Sequence, residues 1–340
     1  MPLRQIEVVI PDSGKSSIEK LLEGDTIKHF WSESSAEHGE SCLIKVLVDA
    51  AYTEQFLDKA DQLFGNYEDF RLVMISVDAT LPRIEEKESE VDADEEPKEL
   101  KPWEEPLKGV RVSREELYSD ISDGIKLTRI YMAMVILSTI VAALGILRDN
   151  TAVVIGAMVI APLLAPNVGL ALSTTLGDLK LGLKSLKTNL TGLGVALIIS
   201  VILGVFLQVD ESIYQIASRT EVHLSDIALA LASGAAGVLA YTVGMSAAVI
   251  GVMVAVALLP PLVTAGILFG DMQWQLAFYA FLLLMTNVIC VNLAAVTTFI
   301  LQGIRPRTWY ETKKAKQANK IALLLWISLL VILAIIIYYA

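Results

Sequence analysis

Charged side chains are missing from the middle of every long apolar run in this 340-residue chain. That absence argues against a proton relay built from buried carboxylates, which needs Asp, Glu or His inside the bilayer. Histidine is scarce too: His29, His38 and Cys42 do not form a zinc spacing, and no metal site is expected. The two cysteines, Cys42 and Cys290, fall in different parts of the chain, so a disulfide is not expected and a reducing cytoplasm fits. With a net charge of −11 and no clustered basic patch, nucleic-acid binding is not expected either. The first hundred residues are polar, which predicts no cleavable signal peptide and leaves the first apolar helix as the insertion signal. Gly14-Lys15-Ser16 resembles the end of a phosphate loop, but Val9 stands where the earlier glycine is required. No nucleophile–base arrangement is visible, so neither an enzyme nor a cofactor is expected.

What the chain does have is unevenly placed. Residues 1–106 carry 26 acidic against 11 basic residues, and the remainder 12 against 16. At 54% hydrophobic overall, an acidic soluble domain followed by a membrane domain is the reading. Residues 1–80 read strand–helix–strand–strand–helix–strand, with strands near Ile6–Ile10, Thr26–Trp31, Cys42–Val48 and Phe70–Val77. Helices near Ser16–Leu22 and Tyr52–Phe64 complete an α+β ferredoxin-like cytoplasmic domain. Residues 81–112 are an acidic linker. Residues 113–127 then form an amphipathic juxtamembrane helix, opened by a capping box at Ser113 and Glu116 and carrying Leu117, Ile121 and Ile125 on its apolar face.

Seven apolar segments follow, near 128–147, 151–176, 188–208, 226–243, 246–269, 274–302 and 321–339. Each approaches the ~20 residues that span a bilayer. Around their ends, fourteen Lys and Arg fall on one side, among them Lys180, Lys184 and Lys187, against Arg148 and Arg219 on the other. This bias predicts a multi-pass protein of the prokaryotic cytoplasmic membrane, N-terminus cytoplasmic and C-terminus outside.

Inside these segments the chain repeats itself. Ala152–Pro166 returns as Ala247–Pro261 with nine of fifteen positions identical, and Gly-Asp follows both copies (Gly177-Asp178, Gly270-Asp271). Thr188-Asn189 matches Thr286-Asn287 in the extended alignment. A three-helix unit is odd, so its second copy enters the membrane from the opposite side. The expected architecture is therefore a 3+3 inverted repeat over 128–208 and 226–302, plus one extra helix at 321–339.

Pro162, Pro166, Pro260 and Pro261 lack amide donors and interrupt the second and fifth segments. A regular 26-residue helix would be ~39 Å long against a ~30 Å hydrocarbon core, so a broken spanning helix is preferred at 151–176. A re-entrant hairpin in both segments would move Lys180, Lys184 and Lys187 outside. Asn167, Asn189, Asn287 and Asn292 are placed around the breaks, because amides in hydrocarbon face the bundle interior. The same amides also serve simply to join helices. Duplicate breaks with amides and no buried charge suit transport of a small ion or small polar solute, with the soluble domain as regulator. The alternative is a non-transporting sensor or scaffold whose soluble domain binds a ligand or partner. Homo-oligomerisation is expected from pairing of ferredoxin-like domains.

The run Leu144–Asn167, with Leu176-Gly-Asp178 behind it, resembles the prokaryotic membrane family called domain of unknown function 389, over about Ser113 to Gly303. The motif residues carried by this resemblance are Asp149, Gly156, Met158, Pro162, Pro166, Asn167 and Asp178. It implies no reaction. The second repeat departs from the motif at Ala257 and Leu262.

Overall fold

The computed structural model describes residues 3–11, 17–22, 27–35, 41–49, 52–77, 112–207, 209–244, 247–306 and 309–339. Gly14-Lys15-Ser16, His38, the acidic segment up to residue 111 and the side chains at 247–257 lie outside the described residues. The chain divides into two compact units, Met1–Glu115 and Glu116–Ala340.

The first unit is a small antiparallel sheet with helices between its strands. Strands β1 (Leu3–Pro11), β2 (Ile27–Ser35), β3 (Ser41–Asp49) and β4 (Arg71–Val77) take the order β2-β3-β1-β4. Helix α1 (Ile18–Leu22) follows β1 and α2 (Thr53–Phe64) follows β3, as the alternation of periods two and 3.6 predicts. Ile6, Val8 and Ile10 of β1 and Ile44, Val46 and Val48 of β3 are completely buried. Phe56, Leu57, Ala60 and Phe64 of α2 join them in one core. Cys42 is buried in β3, and His29 sits in β2 with its ring 4.7 Å from that of Trp31. Near the end of this unit Arg114 is buried, and its Nη2 lies 3.0 Å from Asp58 Oδ1. Burial alone would depress that guanidinium, but the Glu115 and Asp58 carboxylates outweigh it and hold its pKa above the ordinary value.

The second unit is helical: α3 (Arg114–Gly124), which starts at the division, α4 (Arg129–Leu147), α5 (Thr151–Ile160), α6 (Leu164–Leu176) and α7 (Leu179–Phe206). Then come α8 (Tyr214–Thr220), α9 (Leu224–Thr242), α10 (Ala247–Gly270), α11 (Trp274–Leu301) and α12 (Trp309–Tyr339). Among the described residues four helices, α4, α7, α9 and α11, are long and apolar enough to cross a membrane, or five counting the bent pair α5–α6 as one. Their polarity runs inside out. On α7, Leu190 and Ile198 are each 61% exposed while Ser185 and Ser200 are fully buried and Asn189 nearly so. Such a surface fits hydrocarbon rather than water. Helix α12 begins well before the apolar stretch at 321–339, because Lys-Ala-Lys-Gln-Ala-Asn-Lys is built mostly of good helix formers.

Helices α7 and α10 cross at backbone contact. Ser200-x-x-x-Gly204 on one meets Gly266-x-x-x-Gly270 on the other, and a methyl group at Gly204 or Gly270 would overlap the carbonyl of Ile267 or Val201. Between α9 and α11, a methyl group at Gly234 would lie 2.8 Å from Val291 Cα, so these helices too are closely packed there. Ala142, Ile146, Val154, Met158, Val263 and Ile267 belong to the core joining α4, α5 and α10.

The apolar stripe of α3 packs against protein. Leu117, Ile121 and Ile125 are almost wholly buried, and Ile121 and Ile125 approach Gly169 of α6. Helices that cover a neighbour's small-residue face bury their apolar stripe in protein instead of lipid. Tyr118 Oη donates to Asp178 Oδ2 at 2.9 Å, setting α3 beside the turn between α6 and α7. Partial burial, then that bond, holds the Tyr118 phenol above its ordinary pKa.

Gly177 ends α6 in the left-handed region at φ 72°, and Asp178 caps α7 by accepting from the Lys180 and Leu181 amides at 2.9 and 3.1 Å. Asp178 is thus the N-cap of α7. Asp271 is not a cap: it accepts from the Gln273 side chain at 2.7 Å, and Gln273 itself precedes α11. Replacing Asp178 with alanine is expected to remove about 1–2 kcal/mol of stability. Asp178→Asn, which still offers a cap oxygen, should keep most of it. Thermal unfolding of the two variants in detergent checks this, and equal losses would refute the cap.

Candidate functional site

The second apolar segment is broken where its prolines predict. Helices α5 and α6 meet at an angle of 53°. Ala161 leaves the helix with φ −67° and ψ 120°, the extended geometry forced on a residue that precedes proline. Pro162 has no N–H to give the Met158 carbonyl. Pro166 falls in the first turn of α6, where a helix has no internal use for an amide donor. Asn150 caps α5 by accepting from Val153 N at 3.1 Å, so each half-helix starts independently.

The fifth segment behaves differently. Pro260 and Pro261 lie inside the single helix α10, and the expected second break is not seen. Leu258, Leu259, Leu262 and Val263 are buried on all sides, and the α7 crossing follows directly. Tertiary packing holds this stretch helical although two ladder donors are missing, an outcome local chemistry does not foresee.

Three of the four asparagines converge at the α5–α6 break. Asn167 Nδ2 donates to Leu163 O at 2.8 Å, and Asn292 Nδ2 to Val288 O at 2.9 Å. A backbone carbonyl only accepts, so these two bonds settle which end of each amide is nitrogen. Asn167 Oδ1 then receives Asn189 Nδ2 at 2.9 Å and Asn292 Nδ2 at 3.3 Å, which orients Asn189 as well. Asn167 is thus a hub tying α6 to α7 and α11, and all three residues are at most 4% exposed. The arrangement leaves Asn189 Oδ1 and Asn292 Oδ1 buried with no partner, together with Ser185 Oγ one turn along α7. Each such oxygen costs about 1–3 kcal/mol. Ser185 is missing from the sequence-based site; its signal is a polar residue four positions before Asn189 on one helix face.

Asn287 does not join the hub. It and Pro261 line a separate cavity of about 180 Å³ with Arg219, Asp226 and Ser233. The repeat partner of Asn167 is Leu262, 2% exposed, so Asn287 has no matching hub. Pro260 is buried in α10. Burial depresses the Arg219 pKa, and its guanidinium donates to the Gln215 carbonyl of its own helix. Asp149, at φ 50°, accepts from Gln215 N at 3.1 Å and so fixes α8 against the end of α4. The contributions of Arg219 and Asp226 escaped the sequence because only the fold brings α8 and α9 to one cavity.

A family profile described as Domain of unknown function (DUF389) matches residues 158–293, the stretch holding Pro162, the hub and Asn287. The chain is also similar to the uncharacterised protein MJ0678 of Methanocaldococcus jannaschii, at 37% identity over 339 residues and the full length of both. The chain belongs to this family. The profile match thus covers the break itself, α6, the amide hub and α10. No solved structure matches the chain.

Proposed function

We propose that this DUF389 protein is an integral membrane transporter or channel for a small ion or small polar solute, with its site at the α5–α6 break. One observation carries the reading: a helix bent by 53° in an apolar segment, with Asn167 beside the bend bonded to amides from two other helices. Unwound backbone lined by amides within a bundle is how transporters handle solutes without fixed charge. The proposal takes the seven apolar segments as spans and α4–α7 and α9–α11 as inverted three-helix repeats. The packing of α3 beside the lysine-rich start of α7 supports a cytoplasmic N-terminus and an external C-terminus in the cytoplasmic membrane. The β2-β3-β1-β4 order supports a ferredoxin-like regulatory domain, whose pairing would make a homo-oligomer. The reading includes no enzymatic step, cofactor, metal centre or nucleic-acid partner.

Full-length protein in proteoliposomes should move at least one member of a panel of inorganic ions and small polar metabolites, and Asn167→Ala should reduce that flux at least tenfold. Folded protein that moves nothing across the panel refutes transport. A second reading, a non-transporting sensor or scaffold, is supported by apolar side chains displayed on the sheet, with Trp31 45%, Val73 49% and Ile75 44% exposed.

A further inference from the structure

Ser185, Asn189 and Asn292 each keep a buried side-chain oxygen that has no hydrogen-bond partner, and all three stand around the first two turns of α6. Ser185 is fully buried over Gly169, where an added methyl carbon would lie 2.5 Å from its hydroxyl oxygen. Asn189 follows one turn along the same face of α7. Asn292 arrives from α11, and both amides are bonded to Asn167 Oδ1. An amide oxygen shares its carbon with the nitrogen, so both orphaned carbonyls sit within one amide's width of the hub. Every nitrogen of the hub already has an acceptor: Leu163 O for Asn167, Asn167 Oδ1 for Asn189, and Val288 O with Asn167 Oδ1 for Asn292. Asn167 and Asn189 each keep one further N–H and Ser185 its hydroxyl proton, but the two orphaned amide carbonyls can only accept.

The backbone beside it leans the same way. From Ala161 to Asn167, Pro162 and Pro166 carry no N–H, leaving seven carbonyls against five amide donors. A cation held by the two orphaned carbonyls would complete them, as no donor of the cluster now does. The hub and Ser185 include no carboxylate, and divalent ions such as calcium and magnesium are held by carboxylates. Neutral carbonyl oxygens instead replace the hydration shell of monovalent cations, as in potassium-channel filters. We infer that Ser185, Asn189 and Asn292, gathered by Asn167 at the α5–α6 break, form a binding site for a dehydrated monovalent cation. This inference rests on the transport site proposed above and names what occupies it. A buried water would satisfy the same oxygens, but water is indifferent to which salt is present.

The test is thermal unfolding of the full-length protein in detergent at constant ionic strength, with choline chloride replaced stepwise by sodium, potassium or ammonium chloride. A bound ion raises the midpoint with the logarithm of its concentration, by about 2–4 °C for each tenfold excess over its dissociation constant. At least one small cation is expected to do so relative to choline. Asn189→Ala and Asn292→Ala should abolish the ion-dependent part. Because those variants disturb the hub, Ser185→Ala is the decisive companion. Losing an unpaired buried oxygen, it should melt higher in choline, yet show a smaller ion-dependent rise. Identical melting in all four chlorides overturns the site, as does an ion-dependent rise unchanged in Ser185→Ala and Asn292→Ala. Flux is read separately in proteoliposomes. Ion-specific stabilisation without flux keeps the site and removes transport, and flux without ion-specific stabilisation does the reverse.

Discussion

Gly204→Leu is expected to leave little folded protein, whereas Gly194→Leu on the same helix should be tolerated. The two substitutions add identical atoms to α7. At Gly204 even the first added carbon collides with the backbone of Ile267 on α10, while nothing lies within 4 Å of a methyl group at Gly194. A backbone collision cannot be relieved by changing a rotamer, so the helices must separate. Separation exposes contacts around Ser200, Gly266 and Gly270 as well. Overpacking a core costs about 1–3 kcal/mol when side chains can shift, and more is expected where the obstacle is main chain. At Gly194 the leucine gains about 0.5–1 kcal/mol of helix propensity and meets no obstacle. Gel filtration and melting in one detergent decide the matter: midpoints within two or three degrees of each other would refute the crossing.

Asn167→Ala is expected to cost about 2–3 kcal/mol, more than either Asn189→Ala or Asn292→Ala. Removing Asn167 breaks both interhelical bonds at once and strands the Asn189 amide nitrogen, while that of Asn292 keeps the Val288 carbonyl. Polar bonds between membrane helices average ~0.6 kcal/mol and reach ~1.7, so the two together, with one orphaned donor, account for the figure. The hub also predicts non-additivity. Asn189→Ala should cost clearly less in the Asn167→Ala background than in the parent, since its acceptor is already gone. Measured in a double-mutant cycle, additive losses would mean that the asparagines act independently and that no hub exists. Asn167→Asp offers a harsher case. A carboxylate there cannot donate to Leu163 O and would carry charge into an apolar site, so its loss should exceed that of alanine unless it is protonated.

Much of this was legible in the chain itself. All six elements of the front unit appear where period-two and period-3.6 patterning places them, and β1, β3 and α2 supply its buried face. The seven apolar segments each coincide with a helix or, at 151–176, a bent pair. The break at Pro162 was readable because proline acts on its own carbonyl ladder and its preceding residue, both local effects. Its counterpart failed at Pro260-Pro261, where close packing of α10 outweighs the same local chemistry. The GxxxG at Gly266–Gly270 was present in plain view, but small residues in an apolar helix do not announce which neighbour they meet.

The sequence by itself determined the division into an acidic domain and apolar helices, the place of the first helix break, and the amide chemistry available near it. Those properties depend on composition, period and a proline's missing hydrogen, none of which needs a neighbour. Only the tertiary structure decided that Asn167, Asn189 and Asn292 form one hub and that Asn287 belongs elsewhere with Arg219. It also decided that three oxygens are left over. A hydrogen bond between helices depends on angstrom-scale approach, and that approach is set at glycine contacts and buried faces far from the asparagines in the chain.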